Sequence, residues 1–308
     1  MNYGAVIHDL IPRVQLINKY LRQPLDFLLY SNIFIALCAV SQGLVTYWLI
    51  QAKPEPYVLG LLFCSTLALY NFSILLSKPE KPENSRFQRV RWIFSHYRLM
   101  ISLTIISVIA IIPLSFFLNT SSKILLIGLG LISLAYNLPI FLIDTKRFSL
   151  RDIPGVKLFI IALVWAASCV LLPILAIEGN NAATITLNET ILLFLKRFIF
   201  IAAITVPFDI RDIFQDKSNE LKTIPIIFGK KNSLLICQVL LATYLLLLFN
   251  FTEKIDGNFF ALSLTIFLSG WLIFKSKWKK NEYYYFLFLD GTMILQLIML
   301  LIFSTIPL

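Results

Sequence analysis

The hydrophobic positions of this chain fall into nine long, almost uninterrupted runs that are separated by polar segments. Each run holds about 20 mostly apolar residues, which is the length that an α-helix needs to cross the hydrocarbon core of a bilayer. The pattern therefore predicts an all-α, polytopic membrane protein with nine transmembrane helices. The runs cover residues 25–50, 57–77, 98–118, 122–143, 156–178, 187–208, 231–250, 257–275 and 284–306.

Composition supports a membrane protein over a soluble domain. The 308 residues are 58% hydrophobic and 14% charged, with a mean hydropathy of +0.80. Soluble domains are about 45–50% apolar and about 25% charged. The first 23 residues are mixed polar and basic, so a cleavable signal peptide is not predicted.

The polar segments differ strongly in charge. Of the 27 Lys and Arg residues, 22 fall on one side of the predicted spans, and only Lys53, Lys123 and Lys254 fall in loops on the other side. Basic loops stay in the cytoplasm, so the N-terminus is predicted inside and the C-terminus outside a bacterial inner membrane. Topology and anionic membrane lipid thus explain the net charge of +10, and nucleic acid is not expected as a partner.

One basic connection, residues 78–97, begins with two Lys-Pro pairs and continues as an amphipathic, basic segment, for which a plain cytoplasmic anchor is the alternative. It predicts an interfacial helix, with Trp92 and Tyr97 at the depth of the lipid headgroups.

The most informative polar stretch is VPFDIRDIFQDKSNELKTIPIIFGKK, residues 206–231, at the end of the sixth run. Asp209, Asp212 and Asp216 have the spacing i, i+3 and i+7, which places them within about 60° of one another on a helix. Three neighbouring carboxylates repel each other unless a cation lies among them, and hard oxygen ligands of this kind suit Mg²⁺. The alternative is a solvated helix end.

The segment FDIRDIFQDKSNELKTIPIIFGKKNS resembles the second aspartate-rich motif and following loop of the UbiA superfamily of intramembrane prenyltransferases. Nine spans with an internal N-terminus match the topology of that family. The stretch Ala135–Pro139, followed by Lys146 and Arg147, is similar to the family's Tyr and basic pair after the fourth helix. The resemblance implies one domain over residues 1–308, with halves of about 1–150 and 151–308, built as a bundle around a central cavity.

The resemblance also implies an activity: transfer of an isoprenyl group from its diphosphate to a lipophilic acceptor with Mg²⁺. By the same resemblance, the Mg²⁺ ligands would be Asp209, Asp212 and Asp216. The candidates for contact with the diphosphate are Lys222, Lys146, Arg147 and Arg151. Ordinary cytoplasmic anchoring is the alternative for the last three.

The chain departs from the family in the first aspartate-rich motif, which should fall on residues 69–79. Asn71 fits the pattern, but Phe72, Leu75 and Pro79 occupy the three aspartate positions. Half of the expected metal site is therefore missing.

Three readings of this loss remain open. In the first, Glu80 and Glu83, which lie just beyond the motif although off the helical register, substitute for the lost aspartates. In the second, Lys78, Arg86 or Arg89 replaces the second metal ion. In the third reading the chain is a non-catalytic relative that binds an isoprenoid or a quinone-type lipid. A transporter is less favoured, because the acids lie at the mouth of the bundle and not near the membrane midplane.

Several other polar residues fall at membrane depth. Lys196 and Arg197 either face a cavity or partner, or reach outward along a tilted helix. Asn32 and Gln42 either line the cavity or bond between helices. The candidates for the cavity wall are Tyr70, Asn71, Tyr136, Asn137 and Asp290, with aromatic-belt or structural pairing roles as the alternatives.

Overall fold

The computed structural model describes residues 22–143, 146–153, 155–178, 185–218, 221–251, 255–278 and 281–305. Within these ranges the chain forms twelve α-helices and one short β-hairpin. The helices are α1 (Arg22–Tyr30), α2 (Ile33–Leu49), α3 (Pro56–Leu76), α4 (Gln88–Ser95), α5 (Tyr97–Phe116), α6 (Thr120–Asn137), α7 (Val156–Ala166), α8 (Leu172–Glu178), α9 (Leu187–Ser218), α10 (Ile224–Asn250), α11 (Gly257–Lys275) and α12 (Thr292–Ser304). The antiparallel strands are β1 (Phe141–Ile143) and β2 (Lys146–Phe148).

The prediction of a polytopic helical bundle is confirmed. Within the described ranges, eight helical segments are long and apolar enough to cross a membrane, and the bent pair of α1 and α2 makes a ninth if it counts as one span. The pair bends by 64°. The bend lies at Asn32, whose backbone is left-handed with φ 68°, a conformation that Asn tolerates better than most residues.

Helix ends differ from the ends of the hydrophobic runs in two places that matter for the site. The fourth run ends as a helix at Asn137 and then continues into the hairpin. Pro139 explains this end, because the residue before a proline is disfavoured in helical conformation. Conversely, α9 extends ten residues beyond the sixth run, to Ser218, because nothing in the polar sequence DIRDIFQDKS breaks a helix.

The helices pack side by side in a bundle. From α2 the contacts pass to α3 and α5 on one side and to α12 on the other, and α9 packs most extensively on α10 and α7. The outer faces are apolar: Ile106 and Ile109 of α5 and Ile124 of α6 are largely exposed, as expected for surfaces that contact lipid. α9 has the opposite character, because its middle section is buried on several sides.

Two π-helical turns interrupt the spans next to the cavity. One, at Ala167–Leu171, joins α7 to α8, and the other, at Tyr284–Leu289, leads into α12. Such turns often occur at functional sites. The first π-helical turn begins two residues after Trp165, and the second ends directly before Asp290. The side chains of Trp165 and Asp290 are therefore each located next to an irregular turn.

The interfacial helix expected within residues 78–97 corresponds to α4. Trp92 packs on Tyr30, with ring centroids 6.0 Å apart, and stacks on His96 at 4.3 Å. Tyr97 begins α5 and is exposed. The helix is thus attached to the bundle through Trp92.

Candidate functional site

The acidic stripe lies on the last three turns of α9. Asp209 and Asp216 are 3% and 5% exposed, and both face Lys157 in the first turn of α7. The Lys157 Nζ atom lies 2.7 Å from Asp209 Oδ1 and 3.4 Å from Asp216 Oδ2. Two carboxylates of the predicted stripe therefore converge on one cation, which is a side chain of the protein.

The third carboxylate of the stripe has a different partner. Asp212 accepts two hydrogen bonds of 2.8 Å from Arg211, one from Nε and one from Nη2. The Arg211 guanidinium also lies over aromatic rings, including Phe208 at 5.2 Å and Phe286 at 5.1 Å. Its remaining nitrogen, Nη1, is buried and has no hydrogen-bond partner among the described residues.

A chain of amide contacts faces the stripe. Asn71 of α3 is fully buried, and its Oδ1 atom accepts a hydrogen bond of 2.6 Å from Asn32 Nδ2. Asn32 Oδ1 in turn accepts a hydrogen bond from Arg89 Nη2. The bend between α1 and α2 thus places Asn32 between α3 and the guanidinium of α4.

Arg89 is partly buried beside other charges, and its Nε atom is fully buried. Burial lowers the pKa of its guanidinium below the ordinary value, and Arg211 lowers this pKa further, whereas Asp290 acts in the opposite direction. Arg89 lies over the Phe286 ring at 4.7 Å. Its helix is held at the N-terminus by Glu282, whose carboxylate accepts from the backbone N–H groups of Gln88 and Arg89 at 2.6 and 3.0 Å.

Two adjacent cavities open between these helices. The smaller, about 200 Å³, is lined by Asn32, Arg89, Lys157, Asp209, Arg211, Asp212 and Asp290 together with apolar side chains. The larger, about 740 Å³, is mainly apolar and lies between α3, α4, α6, α7 and α9. Tyr70, Arg89, Ile161 and Trp165 line both, and Trp165 Nε1 donates to the Tyr70 hydroxyl at 3.3 Å. A charged chamber therefore adjoins an apolar one.

Most of the predicted cavity residues lie at these chambers. Tyr70 lines both, Tyr136 and Asn137 line the larger, and Asp290 lines the smaller. Asn71 lies behind the wall and acts through Asn32.

Of the residues predicted to contact the diphosphate, those whose side chains the structure describes are not found in the lining of either chamber. Lys222 is exposed and lines neither chamber, and Arg151 lies 3.9 Å from Asp152 and lines neither. Lys146 and Arg147 belong to β2, and their side chains lie outside the described part of the structure.

The predicted metal ligands do not yet form a cluster. Within the described ranges, no three His, Cys, Asp or Glu side chains lie close enough together to hold a metal ion. Assignment of Asp209, Asp212 and Asp216 as ligands therefore stays a prediction.

The structure shows which of the residues near the degenerate first motif lie at the charged chamber. Glu80 and Glu83 are exposed and line neither chamber. Lys78 is exposed near the Tyr97 ring at 5.6 Å, and Arg86 lines only the larger chamber. Of the three basic residues considered, Arg89 is the one that lines the charged chamber.

The other polar residues at membrane depth have structural contacts. Arg197 is 5% exposed, and its Nη2 atom donates to Thr46 Oγ1 at 3.3 Å, so the basic pair does not reach outward. Gln42 donates to the Met293 carbonyl oxygen at 2.8 Å and to Gln296 at 3.1 Å. Gln42 therefore bonds between helices.

Sequence reasoning missed two central residues. It counted Lys157 and Arg211 only as cytoplasmic charges, although both had a signal. Lys157 is the second residue of an apolar run, and Arg211 stands between two aspartates of the stripe. Charges at such positions are usually paired or face a cavity.

Comparison with known proteins agrees with this fold. The model of the UbiA prenyltransferase family matches residues 93–289. No curated protein matches the chain. A UbiA homolog from Archaeoglobus fulgidus bound to GPP and Mg²⁺ superposes with a TM-score of 0.64 at 13% identity, over 91% of this chain and 100% of that chain.

Two further solved structures share the fold. The apo structure of a UbiA homolog from Aeropyrum pernix K1 has a TM-score of 0.57 and 15% identity, over 89% of this chain and 96% of that chain. A structure of digeranylgeranylglyceryl phosphate synthase has a TM-score of 0.54 and 16% identity, over 92% of this chain and 99% of that chain. The bundle, the acidic stripe and a family match over most of the length lead to one conclusion: this integral membrane protein belongs to the UbiA prenyltransferase family.

Proposed function

We propose that the protein is a membrane prenyltransferase that moves an isoprenyl group from its diphosphate to a lipophilic acceptor with Mg²⁺. The observation that carries the proposal is the charged chamber, lined by the carboxylates of Asp209, Asp212 and Asp290, directly beside a large apolar chamber. A prenyl diphosphate has the same division into a charged head and an apolar tail. The UbiA homolog from Archaeoglobus fulgidus, which shares the fold of this protein, binds GPP and Mg²⁺.

Two carboxylates at the charged end, Asp209 and Asp216, are placed to hold one divalent cation where Lys157 now lies. Asp209 and Asp216 already converge on a positive charge, and hard carboxylate oxygens are the ligands that Mg²⁺ prefers. Asp212 lines the same chamber and would join them on leaving Arg211. When bound, Mg²⁺ would neutralise negative charge that develops on the departing diphosphate. Lys157, released from the carboxylates, would then be free to turn toward phosphate oxygens.

The aromatic junction suits the reacting carbon. Tyr70 and Trp165 line both chambers, with ring centroids 6.5 Å apart. Their π faces would stabilise positive charge on an allylic prenyl group, and their bulk limits the access of water. The acceptor would enter through the larger chamber, whose volume of about 740 Å³ accommodates a lipophilic molecule.

The proposal includes an orientation. The basic loops would face the cytoplasm of a bacterial cell, with the N-terminus inside and the C-terminus outside. The charged chamber then opens toward the side from which a soluble diphosphate is supplied. Lys222, Lys146, Arg147 and Arg151 belong to the connections assigned to the same side, and their contact with the diphosphate is part of the proposal.

Turnover of labelled substrate tests the proposal. We expect the purified protein, given labelled farnesyl or geranylgeranyl diphosphate, Mg²⁺ and a membrane lipid extract, to release diphosphate and form a labelled lipophilic product. Omission of the extract, and replacement of Mg²⁺ by EDTA, are the controls. Tight substrate binding without any product would favour the second candidate, a non-catalytic protein that binds an isoprenoid or quinone-type lipid. The apolar residues Phe72 and Leu75 at the first motif are the observation that favours it.

The larger chamber has its own test. Val164 of α7 lines only this chamber, so Val164→Trp should fill part of it and lower product formation, because less volume remains for the lipophilic molecule. Binding of inorganic diphosphate with Mg²⁺ should not change, because the charged chamber is untouched. Ile109→Trp on the exposed face of α5 is the matched control. Equal product formation by both variants would contradict a role for the larger chamber.

A further inference from the structure

The charged chamber has lost one acidic wall and gained a cationic one. From α3 only Tyr70 lines this chamber, because apolar residues stand at the aspartate positions of the first motif. Three cationic side chains, Arg89, Arg211 and Lys157, line it instead. Arg211 and Lys157 are paired with the stripe, so Arg89 is the cation that no carboxylate of the stripe engages within hydrogen-bond distance.

Hydrogen bonds and an aromatic ring hold the Arg89 side chain in place. Its Nη2 atom donates to Asn32, Asn32 donates to the fully buried Asn71, and the guanidinium lies over the Phe286 ring. Glu282 fixes the N-terminus of α4 from the other end of the sequence. These contacts hold the partly buried guanidinium in one position.

Two guanidinium nitrogens at the charged chamber lack a partner. Among the described residues, Arg89 Nε and Arg211 Nη1 are buried atoms that make no hydrogen bond. Buried donors are normally satisfied, so two of them in one chamber indicate a missing acceptor. Arginine guanidinium groups match the oxygens of a phosphate in a planar, bidentate manner. An anion therefore fits this wall better than a metal ion.

We propose that Arg89 replaces the second metal ion of the site, so that the protein binds its diphosphate between a single divalent cation on Asp209, Asp212 and Asp216 and the Arg89 guanidinium. Arg211 flanks this position, and Asn32 and Asn71 act as positioning residues. Asp209, Asp212 and Asp290 also line the chamber, and their negative charge favours a diphosphate that arrives with its cation. The inference rests on the proposed function and adds to it a metal count and a named phosphate contact.

Metal stoichiometry and diphosphate affinity test the inference without catalysis. The protein would be purified in lipid nanodiscs, with Mn²⁺ in place of Mg²⁺ and inorganic diphosphate as the probe. We expect one bound Mn²⁺ per chain by electron paramagnetic resonance at saturating diphosphate. Arg89→Gln should weaken diphosphate binding by about tenfold or more, because it removes a charge-assisted contact, and should leave Mn²⁺ affinity without diphosphate unchanged. The diphosphate affinity of Arg89→Lys should lie between those of the unmodified protein and of Arg89→Gln.

The same helix offers a matched control. Arg91 is exposed, and its Nη1 atom donates to the Ser85 carbonyl oxygen, so Arg91→Gln should bind diphosphate like the unmodified protein. Two Mn²⁺ ions per chain, or normal diphosphate affinity in Arg89→Gln, would overturn the inference and leave the proposed function intact. The metal count uses the unmodified protein and does not depend on whether a variant folds. Absence of any diphosphate binding by the unmodified protein would overturn both proposals.

Discussion

Replacing Asp209 with Asn should reduce Mg²⁺-dependent binding of a prenyl diphosphate by about 100-fold or more. The substitution keeps the shape of the side chain and removes the charge that a metal ion requires. Loss of an outer-sphere partner alone typically costs about 10–100-fold in metal affinity, so loss of a direct ligand should cost at least the upper value. Asp212→Asn should have the same effect if both carboxylates hold the ion. The measurement is equilibrium binding of labelled prenyl diphosphate with Mg²⁺ and with EDTA.

The control for this prediction is Asp256→Asn at the N-terminus of α11. Asp256 caps that helix by accepting from the Phe259 backbone N–H at 3.0 Å, and Asn caps equally well, so neither fold nor binding should change. Unchanged Mg²⁺-dependent binding in both Asp209→Asn and Asp212→Asn would refute the metal assignment. Equal losses with Mg²⁺ and with EDTA would indicate a folding defect.

Replacing Lys157 with Met should destabilise the protein strongly in the absence of a divalent cation. Removal of one partner from a buried ion pair typically costs about 3–5 kcal/mol, and the lower end applies because the Lys157 side chain is 22% exposed. The variant leaves Asp209 and Asp216 without their cation. Mg²⁺ should restore much of the lost stability, because it would occupy the position that the ammonium leaves. Thermal unfolding in nanodiscs, with EDTA and with Mg²⁺, measures both effects.

The decisive comparison is the size of the Mg²⁺ effect. Addition of Mg²⁺ should raise the unfolding temperature of Lys157→Met more than that of the unmodified protein, in which lysine and metal compete for the same carboxylates. Lys217→Met, an exposed lysine on α9 next to Asp216, is the control and should behave like the unmodified protein. Equal Mg²⁺ effects in all three proteins would exclude a shared position for the lysine and the ion.

The helical bundle was predictable because the bilayer imposes a single length scale. A run of about 20 apolar residues has few stable alternatives to a spanning helix, and the nine runs correspond to the eight long spans and the bent pair. Helix ends were less predictable, since hydropathy measures the thickness of the membrane and not the length of a helix. α9 carries the acidic stripe on turns that lie beyond its apolar run.

The candidate site was predictable in part. The spacing of Asp209, Asp212 and Asp216 indicated one helical face, and two of the three do share a partner. The third, Asp212, lines the same chamber as Asp209 but pairs with its own sequence neighbour Arg211, a contact that spacing along one helix does not reveal. Asn71 was identified by its motif position, but its contact with Asn32 depends on a bend in another helix.

By itself, the sequence determined the membrane setting, the number of spans, the acidic end of the sixth hydrophobic run and the loss of the first aspartate-rich motif. These features are local, because each depends on hydropathy or spacing within one segment. The tertiary structure alone decided which cations face the acids. Lys157 and Arg89 lie 52 and 120 residues before Asp209, and only the packing of α4, α7 and α9 brings their charges to one chamber. Charge interactions in a membrane protein depend on distance through space and on burial, and neither quantity is encoded at a single position in the chain.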